Sequence, residues 1–222
     1  MLALLLTLSE SLFHFDDSSF KKYIEDGTKS PPWFIMFGSP QCPACLQAYP
    51  EFEAASEKGR GFSRFAYIDT KQSTNTALKL HIFSVPSFYL FTPDGEFEFS
   101  GLRSANSFVS FISERIGEGL DEADENWASS NESQVVLFTR RFKPPAIFSA
   151  AYGTFKDKGI RFGMVRDSET LEEFGNPPMG TIWFFKNGEK VQYKGKNEFT
   201  QLINAIADHY EINLDEFEEN EL

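Results

Sequence analysis

Five consecutive apolar residues, Trp33-Phe34-Ile35-Met36-Phe37, run into Gly38-Ser39-Pro40-Gln41 and then into two cysteines separated by two residues, Cys42-Pro43-Ala44-Cys45. An unbroken apolar run suits a strand covered on both faces of a sheet. Gly-Ser-Pro is turn chemistry, and a proline directly after Cys42 suits the first helical turn, where a missing N–H costs nothing. The segment therefore reads strand, turn, helix, with one thiol at the helix start and a second one turn inside. Backbone N–H groups and the helix dipole favour an anion at that position, and thiols placed there ionise at pKa values of about 3.5–7.5 instead of about 8.5. Cys42 is thus the candidate nucleophile, with Pro43 helping to tune it. Cys45 is its shielded partner, poised to attack a mixed disulfide formed at Cys42.

Two other readings compete. Structural zinc takes four Cys or His ligands. The chain has no further cysteine, and His14, His81 and His209 are scattered, each reading as an ordinary surface or packing residue, so no metal site is expected. Two inert buried thiols would not need the strand, turn and helix start around them. Redox chemistry is the expectation.

Composition excludes several classes. Lys+Arg 21 against Asp+Glu 33 leaves a net charge of −12, which argues against binding nucleic acid or anionic lipid. Two cysteines rule out a disulfide-dense secreted scaffold. The 25 Phe residues point to cores built on phenylalanine, and 222 residues allow one large domain or two small ones.

The rest of the chain reads as two similar α/β units. In the first, Leu12 to Phe15 is a short strand, and Asp16, Asp17 and Ser18 cap a helix carrying Phe20, Tyr23 and Ile24. After the cysteine helix come a strand at Phe65 to Ile68, a weak helix near Thr76 to Leu80, and a hairpin of Ser87 to Phe91 with Glu96 to Phe99. A helix then presents Phe108, Phe111, Ile112 and Arg115. In the second, Gln134 to Phe138 and Ile160 to Val165 are strands, with a helix from Pro144 to Phe155 between them. Thr181 to Phe185 and Val191 to Tyr193 flank Lys186-Asn187-Gly188-Glu189 as a second hairpin, and Phe199, Leu202, Ile203 and Ile206 stripe the closing helix. The polar stretch Gly117 to Ser133 serves as linker plus the first helix of the second unit. The expected boundaries are 1–10 (signal peptide), 11–117, 118–212 and an acidic tail at 213–222.

The ends are less specific. Met1 to Ser9 is far short of the roughly 20 apolar residues of a membrane span, and short for a signal peptide of about 15–30 residues. A cleaved signal peptide is nonetheless the expectation, and no stable membrane anchor. Residues 211–222 hold six acids and no Lys or Arg, and the last two residues alone match the lumenal retention signal Lys-Asp-Glu-Leu. Asn131-Glu132-Ser133 is a glycosylation sequon.

Residues Phe34 to Cys45 resemble the active site of the thioredoxin-fold protein disulfide isomerases. Phe15 to Phe20 is similar to the opening segment of that family, Val85-Pro86-Ser87-Phe88 to its cis-proline segment, and Ser100-Gly101-Leu102-Arg103 to the end of its last strand. The resemblance implies two tandem thioredoxin-like domains, each a central mixed β-sheet flanked by helices. The first is redox-active, and residues 120–212 form a second that lacks the cysteines and has Asn176-Pro177-Pro178-Met179-Gly180 in the cis-proline region. It implies a cis Val85–Pro86 bond, a substrate groove at Val85, Pro86 and Gln41, and Arg103 acting on the pKa of Cys45. The family's Trp before the first cysteine is Gln41 here, its buried acid is Met36, and its lysine is Tyr67. The missing acid implies slow release of mixed disulfides. Cys-Pro-Ala-Cys resembles the motif of a membrane-anchored lumenal relative.

The implied activity is thiol–disulfide exchange on cysteine-containing client proteins, with a redox-recycling partner or glutathione, no cofactor beyond the dithiol, and residence in the endoplasmic reticulum lumen. A cytosolic thioredoxin-like reductant and a chaperone or adaptor with a vestigial cysteine pair are the competing readings.

Overall fold

The computed structural model describes residues 12–27, 29 and 31–214. The expected signal peptide, and the acidic tail from residue 215 onward with its terminal Glu-Leu, lie outside the described residues. Residues up to Val109 form one compact unit and residues from Ser110 a second.

In the first unit the aromatic run forms a strand, β2 (Trp33–Gly38), and all six of its residues are buried. It lies at the centre of a sheet with β1 (Phe13–Phe15), β3 (Arg64–Asp69), β4 (Ser87–Thr92) and β5 (Gly95–Glu98), in the order β1-β3-β2-β4-β5. β1 and β2 run parallel to β3, while β4 is antiparallel to β2 and β5 to β4. Because side chains alternate along a strand, β2 feeds two cores. Trp33, Ile35 and Phe37 pack with Phe15, Phe20, Ile24, Ile68 and Phe91 on one face. These include residues of α1 (Asp17–Phe20), whose chain continues as a wider π-helical turn at Lys21–Glu25. Asp16 caps this helix by accepting the Ser19 N–H at 2.8 Å.

On the other face Phe34 meets Phe52 of α2 (Pro43–Gly59) and Phe108 of α4 (Ala105–Ile116) at ring-centroid distances of 5.7 and 5.4 Å. Phenylalanine thus builds this core as the composition implied. α3 (Thr74–Lys79) is tied to the start of α1, where the Asp17 carboxylate accepts the Thr76 N–H and hydroxyl at 2.9 and 2.7 Å.

The second unit has its own five strands in the order β10-β9-β7-β8-β6: β6 (Asp121–Glu122), β7 (Gln134–Phe138), β8 (Arg161–Val165), β9 (Thr181–Lys186) and β10 (Glu189–Gln192). β7 repeats the two-sided logic of β2. Val135 and Leu137 pack with Phe148, Ala151 and Phe155 of α6 (Ala146–Phe155) and with Leu202 and Ile206 of α8 (Phe199–Tyr210). Val136 and Phe138 pack with Trp127 of α5 (Glu125–Ala128) and with Phe174. Two mixed five-stranded sheets flanked by helices are the architecture the resemblance implied.

Three local readings need correction. The stretch read as linker plus helix also holds the edge strand β6, too short at two residues for any periodicity to announce it. A helix, α7 (Ser168–Glu173), occupies a stretch to which the sequence reading assigned no element; none of its residues is fully buried, so it has no apolar stripe, and its one mark is the Asp167 cap accepting the Thr170 N–H at 2.8 Å. The second hairpin turn is only Asn187-Gly188, at φ 54° and 79°, so both strands reach further toward it than expected. Two left-handed residues in succession are the geometry that Asn-Gly supplies most readily. The division between units falls inside α4, between Val109 and Ser110, before the expected boundary at 117/118. No helix among the described residues is long and apolar enough to cross a membrane.

Candidate active site

The turn after β2 delivers Cys42 to the head of α2, where its backbone is extended and Pro43 takes the first helical position. Cys42 caps its own helix. Its sulfur accepts the Cys45 N–H at 3.3 Å, and its carbonyl accepts the N–H groups of Cys45 and Leu46 at 3.0 and 3.1 Å. Sulfur thus fills the role that an Asp or Ser oxygen usually fills at an N-cap. Both cysteines are reduced; Cys42 is half-buried and Cys45 is 2% exposed. Across the chain the Cys42 thiol points to the Val85 carbonyl at 3.6 Å. The Val85–Pro86 bond is cis, as the resemblance implied, with Pro86 buried and Val85 half-buried beside the sulfur.

These contacts separate the two thiols. Cys42 is held below the ordinary thiol value, chiefly because the Cys45 thiol donates to its sulfur, with the N–H groups of Cys45 and Ala44 and the Arg103 charge also helping. Cys45 is pushed up to about 11, chiefly by burial and by donating to Cys42. The helix-start amides read from the sequence are present, but the partner thiol contributes more. Arg103, exposed on the loop after β5, favours the thiolate at both sulfurs, in the expected direction at Cys45, where burial nevertheless outweighs it. Only the thiolate alkylates. Iodoacetamide labelling of the reduced protein should therefore label Cys42 with a pH midpoint below the unperturbed value of about 8.5, while Cys45 stays protected until about pH 11. A Cys42 midpoint near about 8.5 or above would contradict this electrostatic account.

Gln41, expected beside the groove, is exposed and held in place. Its Oε1 accepts from the Ser39 hydroxyl and from Lys71 Nζ, each at 3.0 Å. Lys71 was not foreseen, since a single lysine on a polar turn carries no sequence signal. Leu46, Phe83 and Leu102 are exposed on the segments that carry Cys45, Val85 and Arg103.

In β2, Met36 is fully buried and pairs in register with Tyr67, which pairs on its other side with His14. The Tyr67 ring lies so close over Gly38 that a Cβ there would sit 2.7 Å from Cε2 and 3.2 Å from the hydroxyl oxygen, so a residue larger than glycine would displace the ring. Tyr49, one helical turn beyond Cys45, meets Tyr67 edge-on at 5.6 Å, and its hydroxyl is 3.4 Å from His14 Nε2. Burial pushes Tyr67 up to about 12, with the charges of Asp69, Cys45, Tyr49 and Cys42 adding to it. Sequence reasoning missed Tyr49 and treated His14 as an ordinary residue. The available signal was the four-residue spacing of Cys45 and Tyr49, which puts both on one helix face.

The thioredoxin family profile matches residues 11–114. Human thioredoxin-related transmembrane protein 1 is 33% identical over 91 residues, 40% of this chain and 32% of the human protein. Chicken protein disulfide-isomerase A3 is 25% identical over 171 residues, 72% of this chain and 34% of the chicken protein. The chain thus spans about a third of the length of these relatives. The crystal structure of full-length ERdj5 superposes with a TM-score of 0.63 at 14% identity, covering 90% of this chain and 33% of that one. Residues 11–114, nearly all of the first unit, are thus similar to thioredoxin.

The thioredoxin-type cysteine pair and the cis-proline beside it occur together only in the first unit. The second has no cysteine, and Val85–Pro86 is the one cis bond among the described residues, so neither Pro177 nor Pro178 reproduces it. Where the first unit places its cysteines after the central strand, this one places Arg140, Arg141 and Lys143 with the exposed Phe142. Apart from Phe111 and Phe142, the large aromatic side chains among the described residues of that unit lie in or against its cores.

Proposed function

We propose that the chain is a thiol–disulfide oxidoreductase acting on cysteine-containing client proteins through Cys42 and Cys45. The observation that carries the reading is the pair itself: a reachable sulfur whose thiolate is favoured at the head of α2, with a buried thiol donating to it from one turn behind. The Cys42 thiolate attacks a client disulfide, forming a Cys42–client bond and releasing one client thiolate. Cys45 then attacks Cys42, closing the Cys42–Cys45 disulfide and releasing the second client thiol. Two electrons pass from the dithiol to the client, and the reverse sequence oxidises a client dithiol. Direction follows the potential against the compartment, where about 30 mV is tenfold in the equilibrium constant.

The Val85 carbonyl beside the sulfur is an acceptor for a client backbone N–H, and Pro86 and Gln41 border the same approach. Leu46, Phe83 and Leu102 offer apolar contact to a client segment whose own apolar side chains are not yet folded away. The second unit, without cysteine, takes no part in electron transfer. We place the protein in the endoplasmic reticulum lumen, a reading supported by its likeness to disulfide isomerases and by exposure of Asn131 in its sequon. There, glutathione or a second oxidoreductase resets the pair.

The test is a single turnover. Reduced protein mixed with a disulfide-linked peptide should yield two peptide thiols and one Cys42–Cys45 disulfide. A protein whose two thiols remain free while the peptide stays oxidised would overturn the reading.

A further inference from the structure

The chain after β3 is tied to the turn that precedes the cysteines. Thr70 donates both its N–H and its hydroxyl to the Gly38 carbonyl, at 2.9 and 3.1 Å. The next residue, Lys71, is thereby brought beside Gln41, the residue directly before Cys42. Lys71 Nζ donates to Gln41 Oε1 at 3.0 Å, and the Ser39 hydroxyl donates to the same oxygen at 3.0 Å. An ammonium carries three donors, so one is spent on a neutral amide oxygen and two remain.

The acids closest in the chain are engaged elsewhere. Asp69 accepts the Lys71 N–H and Gln72 Nε2 at 3.0 and 2.9 Å. Glu51 accepts the Ala105 N–H at the head of α4, two residues past Arg103, at 2.7 Å. Among the described residues neither Lys71 nor Arg103 is in an ion pair, and both are exposed. A chain of net charge −12 thus presents two cations around its reactive sulfur. Arg103 acts on the sulfurs themselves, favouring the thiolate at each, whereas Lys71 is not among the main groups that set the ionisation of Cys42. Its charge is left for whatever approaches. The apolar side chains nearby, Leu46, Phe83 and Leu102, do not discriminate by charge. An extended client advances about 3.5 Å per residue, so positions one or two from its cysteine come within reach of the Gln41–Lys71 pair once that cysteine meets Cys42.

We propose that Lys71, held on Gln41, selects clients that carry an aspartate or glutamate within two residues of the cysteine attacked by Cys42, and disfavours clients with lysine or arginine there. The inference rests on the oxidoreductase reading and names the substrate class of that same site. The client carboxylate pairs with Lys71 Nζ through a donor that Gln41 leaves unused, while Arg103 adds to the same field. Lys71 is a specificity-determining residue, since it touches the client beside the reacting sulfurs and not the sulfurs themselves.

The test uses three disulfide-linked peptides of one length that differ only in having Glu, Gln or Lys on both sides of each cysteine. The second-order rate constant for attack by the reduced protein is divided by that of dithiothreitol on the same peptide, which removes the peptide's own reactivity. At about 0.05 M salt the wild-type protein should prefer the Glu peptide to the Lys peptide by about tenfold, because an exposed attractive pair and its like-charge counterpart are each worth a few-fold. At about 1 M salt, where charges are screened beyond about 3 Å, the preference should fall below about twofold. Lys71→Arg should keep the preference, Lys71→Gln should lower it, and Lys71→Glu should bring it close to one. Each preference is a ratio within one variant, so a general loss of reactivity cancels. A wild-type ratio near one, or an unchanged ratio in Lys71→Glu, would overturn the assignment while leaving the oxidoreductase reading intact. A wild-type protein that attacks none of the three peptides would overturn both.

Discussion

Cys42→Ser should reduce disulfide turnover by on the order of a thousandfold or more, to the level of uncatalysed exchange. A serine hydroxyl at this helix start can still cap α2, so the fold has no reason to fail. What disappears is the thiolate that the Cys45 thiol and two backbone N–H groups stabilise. The companion variant Cys45→Ser should behave oppositely in one respect. Its hydroxyl preserves a donor toward the Cys42 sulfur, so the first attack persists, but nothing closes the ring, and clients accumulate as mixed disulfides on non-reducing gels. Cys45→Ala, which removes the largest favourable contact, should also raise the Cys42 alkylation midpoint. Undiminished turnover in Cys42→Ser would instead favour an adaptor carrying a vestigial pair.

Phe34→Ala is the substitution expected to damage the first unit most. Phe34 is fully buried, and its ring meets those of Phe52, Phe65, Phe88, Phe99 and Phe108 at centroid distances between 5.4 and 6.2 Å. Truncating a buried phenylalanine costs about 3–5 kcal/mol, against a typical domain stability of about 5–15 kcal/mol. Five surrounding rings cannot readily collapse into the void, which places this site toward the upper end. Urea unfolding followed by peptide-resolved hydrogen exchange should show protection lost across β2, β3 and β4 while β7 to β9 keep theirs. A loss below about 1 kcal/mol would mean that the aromatic cluster is not the first unit's core.

How far the sequence could be read differs from element to element. β2 and β7 were legible because burial on both faces leaves an unbroken apolar run, and α8 because its stripe is one-sided. α7 was not, because none of its residues is fully buried and a lone half-buried leucine makes no stripe. At the site, Cys42, Cys45 and Pro86 were marked by residue types that are rare and chemically specific. Lys71 and Tyr49 carried no such mark; a lysine on a polar turn and a tyrosine within a helix are ordinary until their neighbours are known. The balance of the tuning was set by tertiary contact: the partner thiol outweighs the helix amides at Cys42, and burial outweighs Arg103 at Cys45. Met36 and Tyr67 in place of the family's acid and lysine were already legible in the sequence.

The residue order alone determined that two thiols sit one helical turn apart behind a buried strand, and that a second α/β unit follows without any thiol. Those are local facts, set by spacing and hydrophobic pattern. Only the folded chain decided which sulfur ionises first, that the Val85 carbonyl faces it, and that Tyr67, Tyr49 and His14 pack against one another. Each of those depends on distances between residues dozens of positions apart, and no one-dimensional pattern encodes how a strand register and a helix face bring them together.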